Sequence, residues 1–245
     1  MKIGRGIFKR RQKSEAHAQY SNAVVNQESS CFEVNNWVIS DFVVHVLVPV
    51  VGTHPFPLNE LMLMTSAVCR FKPTHIFEWG TNIGKSARIF YETTQAFGIR
   101  AEIHSIDLPD EIDHVEHPHK NRGVLVRDIK NISLHLGDGL SVSMEILSAA
   151  RTPNRPLFFL DGDHAYESVR RELDAITVSC PDSPILVHDT FFQSKDSGYN
   201  VGPYRAVEKV LEGSPNGYVS IVANTGLPGM TLLHPRRSLI PLNKA

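Results

Sequence analysis

Cysteine is scarce: Cys31, Cys69 and Cys180 are far apart, odd in number and form no C-x-x-C. That excludes a disulfide framework and a cysteine zinc site. An excess of either charge is also missing, since 25 Lys+Arg face 26 Asp+Glu. Bulk attraction to nucleic acid or to an anionic membrane is therefore not expected. The opening residues MKIGRGIFKRRQKSEAHAQ lack the apolar stretch of a secretory signal. The most apolar run, Trp37 to Val51, is broken by Asp41, His45 and Pro49 and falls short of a bilayer span. What is present suits a folded chain: 42% of the 245 residues are hydrophobic and only 21% charged, against disorder throughout. The expectation is a soluble, cytoplasmic globular protein, with no nucleic-acid partner and no transmembrane segment.

Six basic side chains fall in the first thirteen positions, which reads as a loosely held arm. Trp37 to Val51 fits a helix or a strand; periodicity does not decide between them. Leu58 to Arg70 follows as a helix with Leu61, Met64 and Val68 on one face. From residue 74 a regular alternation begins. Strands are expected over Thr74–Gly80, Ala101–Leu108, Asn131–Gly137, Pro156–Asp161 and Ser183–Asp189. Helices are expected over Ile83–Phe97, Ser141–Ala150, Tyr166–Val178 and Tyr204–Leu211, with a closing antiparallel pair at Tyr218–Ala223 and Met230–Leu233. Strands alternating with helices indicate βαβ units and a parallel sheet. LFFLD and ILVHD are apolar on both faces, as strands covered on both sides are. The fold class is α/β: a doubly wound, mostly parallel seven-stranded sheet. Residues 1–54 form an N-terminal arm and extension, and 55–245 the ligand-binding domain.

In such a sheet, ligands bind at the carboxyl ends of the strands. The first end is Glu78-Trp79-Gly80-Thr81-Asn82-Ile83-Gly84-Lys85-Ser86. Gly80 allows a tight turn and Gly84 a close helix start, where helix N–H groups can meet an anion. The dinucleotide fingerprint G-x-G-x-x-G is matched poorly. A P-loop ending in Gly84-Lys85-Ser86 is one residue short of closing on a phosphate, although LFFLD at 157–161 could imitate its partner strand. The third pattern, E-x-G-x-x-x-G-x-S, resembles motif I of the class I S-adenosylmethionine-dependent methyltransferases. Asp107 closes the second strand, 23 positions after Gly84, where an acid can accept both hydroxyls of a ribose. Asp138, after the third strand, is either an adenine contact or a helix N-cap.

The fourth strand ends in Asp161-Gly162-Asp163-His164 and the fifth in His188-Asp189-Thr190. Adjacent strand ends bring Asp161, His188 and Asp189 into one crevice, where they can hold a divalent cation such as Mg²⁺; Asp163 reads better as a cap for the following helix. His164 sits three residues after Asp161, and a histidine near its ordinary pKa suits removal of a hydroxyl proton. DGDHAYESVRREL, then HDTF, then VGPYRAVEKVL resemble the cephalosporin hydroxylase-like and sugar O-methyltransferase group over roughly residues 55–235. The resemblance implies methyl transfer from S-adenosylmethionine to an oxygen of a small-molecule or sugar acceptor, with a divalent cation in those relatives that use one. It implies cofactor contacts from Glu78, Gly80, Thr81, Gly84, Ser86, Asp107 and Asp138. It further implies a catalytic pair in His164 and Asp161, and metal ligands in Asp161 and Asp189. His188 stands where relatives carry Glu or Asp. Tyr166, Tyr204 and Arg205 are acceptor-pocket candidates, and the glycine-containing loop 193–202 could cover the crevice. The cluster His114, His117 and His119 reads as a solvated loop rather than a metal site. A P-loop nucleotide triphosphatase or kinase and a non-catalytic adenosine-ligand-binding protein stay open as alternatives, as does homo-oligomer assembly.

Overall fold

Alternation along the central strands divides the interior into two cores, one on each face of a single sheet. Phe159 belongs to one core and its neighbour Phe158 to the other, because successive strand side chains point to opposite faces. The computed structural model describes residues 20, 23–24, 26, 29, 31–112, 121–150, 154–213 and 217–236. The element order is α1 (Asn36–Phe42), a π-helical turn (Val43–Leu47), α2 (Val48–Val51), α3 (Leu58–Phe71), β1 (His75–Trp79), α4 (Lys85–Ala96), β2 (Glu102–Asp107), β3 (Ile132–Leu136), α5 (Gly139–Ala149), β4 (Pro156–Leu160), α6 (Tyr166–Ser179), β5 (Ile185–His188), α7 (Gly202–Gly213), β6 (Tyr218–Ala223) and β7 (Met230–Pro235). The expected alternation is present, with boundaries within two residues of those read from the pattern.

The sheet runs β3-β2-β1-β4-β5-β7-β6. β7 is antiparallel to both of its neighbours, and the other pairings are parallel. β1 therefore lies between β2 and β4, and the chain leaves it toward both edges. That is a topological switch point, where a crevice opens at the carboxyl ends. The strands LFFL and ILVH are buried at every position, as their composition requires.

Trp37 to Val51 resolves as helix. Asn35 starts it, its side-chain oxygen accepting from the Val38 N–H at 3.3 Å. Ile39, Phe42, Val43 and Leu47 are buried at helical spacing. Pro49 lacks the N–H that would close the regular ladder, and the turn before it widens to a π-helix. These side chains share a core with Leu61, Met64, Ile89 and Phe90, so this part of the extension packs on the domain. The basic arm at 1–19 and the histidine cluster at 114–119 lie outside the described residues. Among the described residues, no helix is long and apolar enough to cross a membrane.

Candidate functional site

The glycine loop after β1 ties three strands together through its backbone. Gly80 N–H donates to the Ile106 carbonyl at 2.9 Å, and Asp161 N–H to the Trp79 carbonyl at 3.1 Å. Gly80 has φ +100°, and a Cβ there would lie 2.2 Å from the Asp161 carbonyl oxygen. Both the conformation and the space demand glycine. The reason is the approach of β4, a contact that spacing within the motif could not disclose. Gly84, the N-cap of α4, has φ +89°, and a Cβ there would lie 2.7 Å from the Val126 side chain. Asp107 meets this loop: its Oδ2 accepts from the Asn82 N–H at 3.3 Å and pairs with Arg122 at 3.4 Å, while Oδ1 accepts from the Leu108 N–H at 2.8 Å.

Beneath the loop, Glu78, Thr81 and Ser86 are buried. Ser105 donates to Glu78 Oε1 and shares a 2.7 Å hydrogen bond with Thr81 Oγ1. Burial pushes the Glu78 carboxyl up to about 8, against the pull of Ser105 and Ser86 hydroxyls. Of the two roles open to Asp138, the structure displays the helix cap. Asp138 caps α5, accepting from the Ser141 N–H at 2.9 Å and hydroxyl at 2.8 Å, and pairs with Arg171 at 2.9 Å.

The other half of the crevice is a chain of charged side chains. His188 is buried between two carboxylates, with Nδ1 2.8 Å from Asp161 Oδ1 and Nε2 3.1 Å from Glu60 Oε2. Glu60, on the first turn of α3, is wholly buried and also accepts from the Gly229 N–H at 2.8 Å. His164 Nε2 lies 3.3 Å from Asp189 Oδ2 and 3.6 Å from Asp161 Oδ1. Tyr199 donates its hydroxyl to Asp189 Oδ1 at 2.8 Å. Asp189 itself sits at φ +55°, a strained left-handed turn of the kind found at functional sites.

These contacts set the charges. Burial alone would raise Asp161, but His188 and His164 hold it down to about 2. Asp189 is lowered in the same way, with burial opposed by both histidines and Tyr199. Contact with Asp161 raises His164 despite burial, and Asp189 adds to the effect. His188 is raised well above its ordinary value, because Asp161, Asp189 and Glu60 outweigh its desolvation.

His188 as a metal ligand is corrected by this geometry. Its ring nitrogens face Asp161 and Glu60, which makes it the residue that holds Asp161 in place rather than a member of the ligand group. Within the crevice, the described residues whose ligand atoms lie within 4.8 Å of one another are Asp161, His164 and Asp189. Asp163, expected to cap α6, instead accepts from the Ala165 N–H at 2.9 Å and from the Ser168 hydroxyl, while Ala165 is the N-cap and has no side-chain bond. Sequence reasoning missed Glu60 and Tyr199. Glu60 looks like an ordinary first-turn acid, its one signal being a charge within the apolar run Leu58 to Met64. Tyr199 belongs to the loop 193–202, which also reaches the site through Asn200, whose amide donates to the His164 carbonyl at 2.8 Å. Tyr166 and Arg205 line a groove of about 430 Å³ with Glu208, Lys209 and Glu212. Tyr204 packs on Phe192, ring centres 5.0 Å apart.

A family model described as rhamnosyl O-methyltransferase/CmcI matches residues 54–226. No curated protein matches the sequence. Among solved structures, CalS11, a TDP-rhamnose 3'-O-methyltransferase of calicheamicin biosynthesis, is 16% identical with a TM-score of 0.52, over 81% of this chain and 92% of its own. An O-methyltransferase from Bacillus cereus in complex with SAH is 14% identical with a TM-score of 0.51, over 80% of this chain and 90% of its own. The cofactor-bound Rv0187 from MTB is 16% identical with a TM-score of 0.50, over 82% and 88%. At these identities the likeness is one of fold. The family match leaves the nucleotide-triphosphatase alternative without support.

Proposed function

The chain belongs to the rhamnosyl O-methyltransferase/CmcI family and is an S-adenosylmethionine-dependent O-methyltransferase; we propose that its acceptor is a sugar hydroxyl presented to His164 at the carboxyl ends of β4 and β5. The family description and the TDP-rhamnose methyltransferase among the structural neighbours support a sugar. The observation that carries the catalytic part is His164 Nε2 lying within 3.6 Å of both Asp161 and Asp189.

The residues around the glycine loop fit the cofactor. Asp107 offers a carboxylate for ribose hydroxyls, and residues 80–84 offer close backbone. Glu78 Oε2 is buried without a hydrogen-bond partner, an atom suited to a cationic amine. S-adenosylmethionine supplies an electrophilic methyl group and a good leaving group. The protein's part is to align the acceptor oxygen and manage its proton. His164 takes that proton, and Asp161 and Asp189 stabilise the imidazolium that results. Glu60 and Asp161 hold His188, which fixes the Asp161 carboxylate from behind.

A second reading has its own observation: Asp161, His164 and Asp189 have ligand atoms close enough to share a divalent cation. In that case Asp161, His164 and Asp189 would hold the ion, whose charge would lower the acceptor hydroxyl's pKa, and His164 would serve as a ligand rather than a base. The test is transfer of a labelled methyl group to rhamnosyl glycosides and to phenols, after exhaustive EDTA dialysis and again with Mg²⁺. Sugar methylation retained in EDTA and lost in His164→Gln supports the base. Activity that returns only with Mg²⁺ supports the cation. Transfer to phenols alone would overturn the sugar.

A further inference from the structure

At the amino ends of the strands, away from the crevice, β1 and β2 place two histidines and a glutamate together. His75 opens β1, and Glu102 and His104 lie in the first half of β2. The parallel register pairs His75 with Glu102 and Phe77 with His104, so all four side chains share one sheet face. His75 Nδ1 is 3.3 Å from His104 Nε2. Glu102 Oε2 lies 4.0 Å from the first nitrogen and 3.8 Å from the second. We propose that His75, His104 and Glu102 form a second metal site, for a zinc-class divalent transition ion, that pins β1 to β2.

The triangle itself supports the assignment. A point equidistant from the three atoms, in their plane, lies about 2.2 Å from each, within about 0.2 Å of the distances at which histidine nitrogen and carboxylate oxygen bind zinc. The donor set is two imidazoles and one carboxylate, which favours zinc and its neighbours over Mg²⁺ or Ca²⁺. Both rings are almost wholly buried and held in place. His104 lies over Phe77 with ring centres 4.9 Å apart, and His75 over the same ring at 6.0 Å. The far nitrogen of His104, Nδ1, is 3.2 Å from His135 Nε2 on β3. A metal-bound histidine commonly donates its other N–H in this way, which fixes ring and tautomer. Glu102 is the solvent-facing member, its side chain 73% exposed, so an ion can enter from solvent and keep water as a fourth ligand.

This site is separate from Asp161, His164 and Asp189. Four residue steps of about 3.3 Å divide His75 from the far end of β1. Its role is therefore to staple the sheet, and its loss should leave methyl transfer in place.

The experiment titrates EDTA-treated, untagged protein with Zn²⁺ by calorimetry and with Co²⁺ by visible absorption, which reports nitrogen ligation and coordination number. Parent protein should bind, and Asp189→Asn should bind with the parent's spectrum. His75→Gln and Glu102→Gln should each bind at least tenfold more weakly and lose the four-coordinate cobalt spectrum. Glu102 is exposed, so its variant keeps the test sound should His75→Gln fail to fold. Absence of binding in the parent, or unchanged affinity in Glu102→Gln, would overturn the proposal.

Discussion

At the carboxyl ends of β1 and β2 the crevice is shaped by backbone, whereas at the ends of β4 and β5 it is shaped by interlocked charges. The first half needs Gly80 and Gly84 because chain presses on chain: the carbonyl of Asp161 on one and Val126 on the other. Asp107 is steadied there by neighbouring N–H groups and Arg122. The second half buries Glu60 and His188 completely or nearly so, and half-buries Asp161, His164 and Asp189. The difference shows how one cleft can serve two tasks. A rigid backbone wall tolerates many ligand conformers poorly and holds one well, while coupled titratable groups can accept a proton with little movement.

The harshest test of this contrast is Gly80→Val, since Gly80 is where the halves touch. Its side chain would enter the Asp161 backbone in a left-handed conformation, at a cost of about 3 kcal/mol or more. The melting temperature should fall by roughly 6–12 °C, read by calorimetry, with cofactor affinity lost too. A stable variant that has lost only affinity would show that the wall serves the ligand and not the fold.

Next in size, Glu60→Ala removes one of the two carboxylates that flank His188 and leaves His188 Nε2 and the Gly229 N–H buried without their partner. The expected destabilisation is about 3 kcal/mol, with Glu60→Gln milder because it can still accept from Gly229. Equal denaturation midpoints for parent and Glu60→Ala would mean that the charged half is no more than a surface feature.

Asp107→Ala should act on affinity with little effect on stability. Charge-assisted bonds are worth roughly 1.5–3 kcal/mol each, so S-adenosylmethionine should bind at least about tenfold more weakly by calorimetry in a folded variant. Unchanged affinity would remove Asp107 from the site.

The smallest effect concerns pH. His164 has its pKa raised by Asp161 and Asp189, so in EDTA-treated enzyme its basic form prevails only above a value higher than 6.5. The rate should therefore rise with pH through a limb above that value. Asp189→Asn removes one raising charge and should move the limb to lower pH. A limb that stays in place would show that another group sets it.

The sheet was legible in the sequence because each strand and helix carries its own period, and strands such as Pro156–Leu160 are apolar throughout. The glycines and strand-end acids were legible because they sit at fixed offsets from those strands. What spacing could not supply was partnership. Asp138 fits a cofactor role by position, yet its own helix start and Arg171 use its carboxylate. His188 fits a ligand role, yet Glu60 arrives from 128 residues away to take its second nitrogen. Local pattern determined where the chain turns and which residues reach the carboxyl edge. The packing of α3 and the loop 193–202 over that edge decided which carboxylates pair with which histidines, because hydrogen bonds between distant segments depend on tertiary approach and leave no period in the chain.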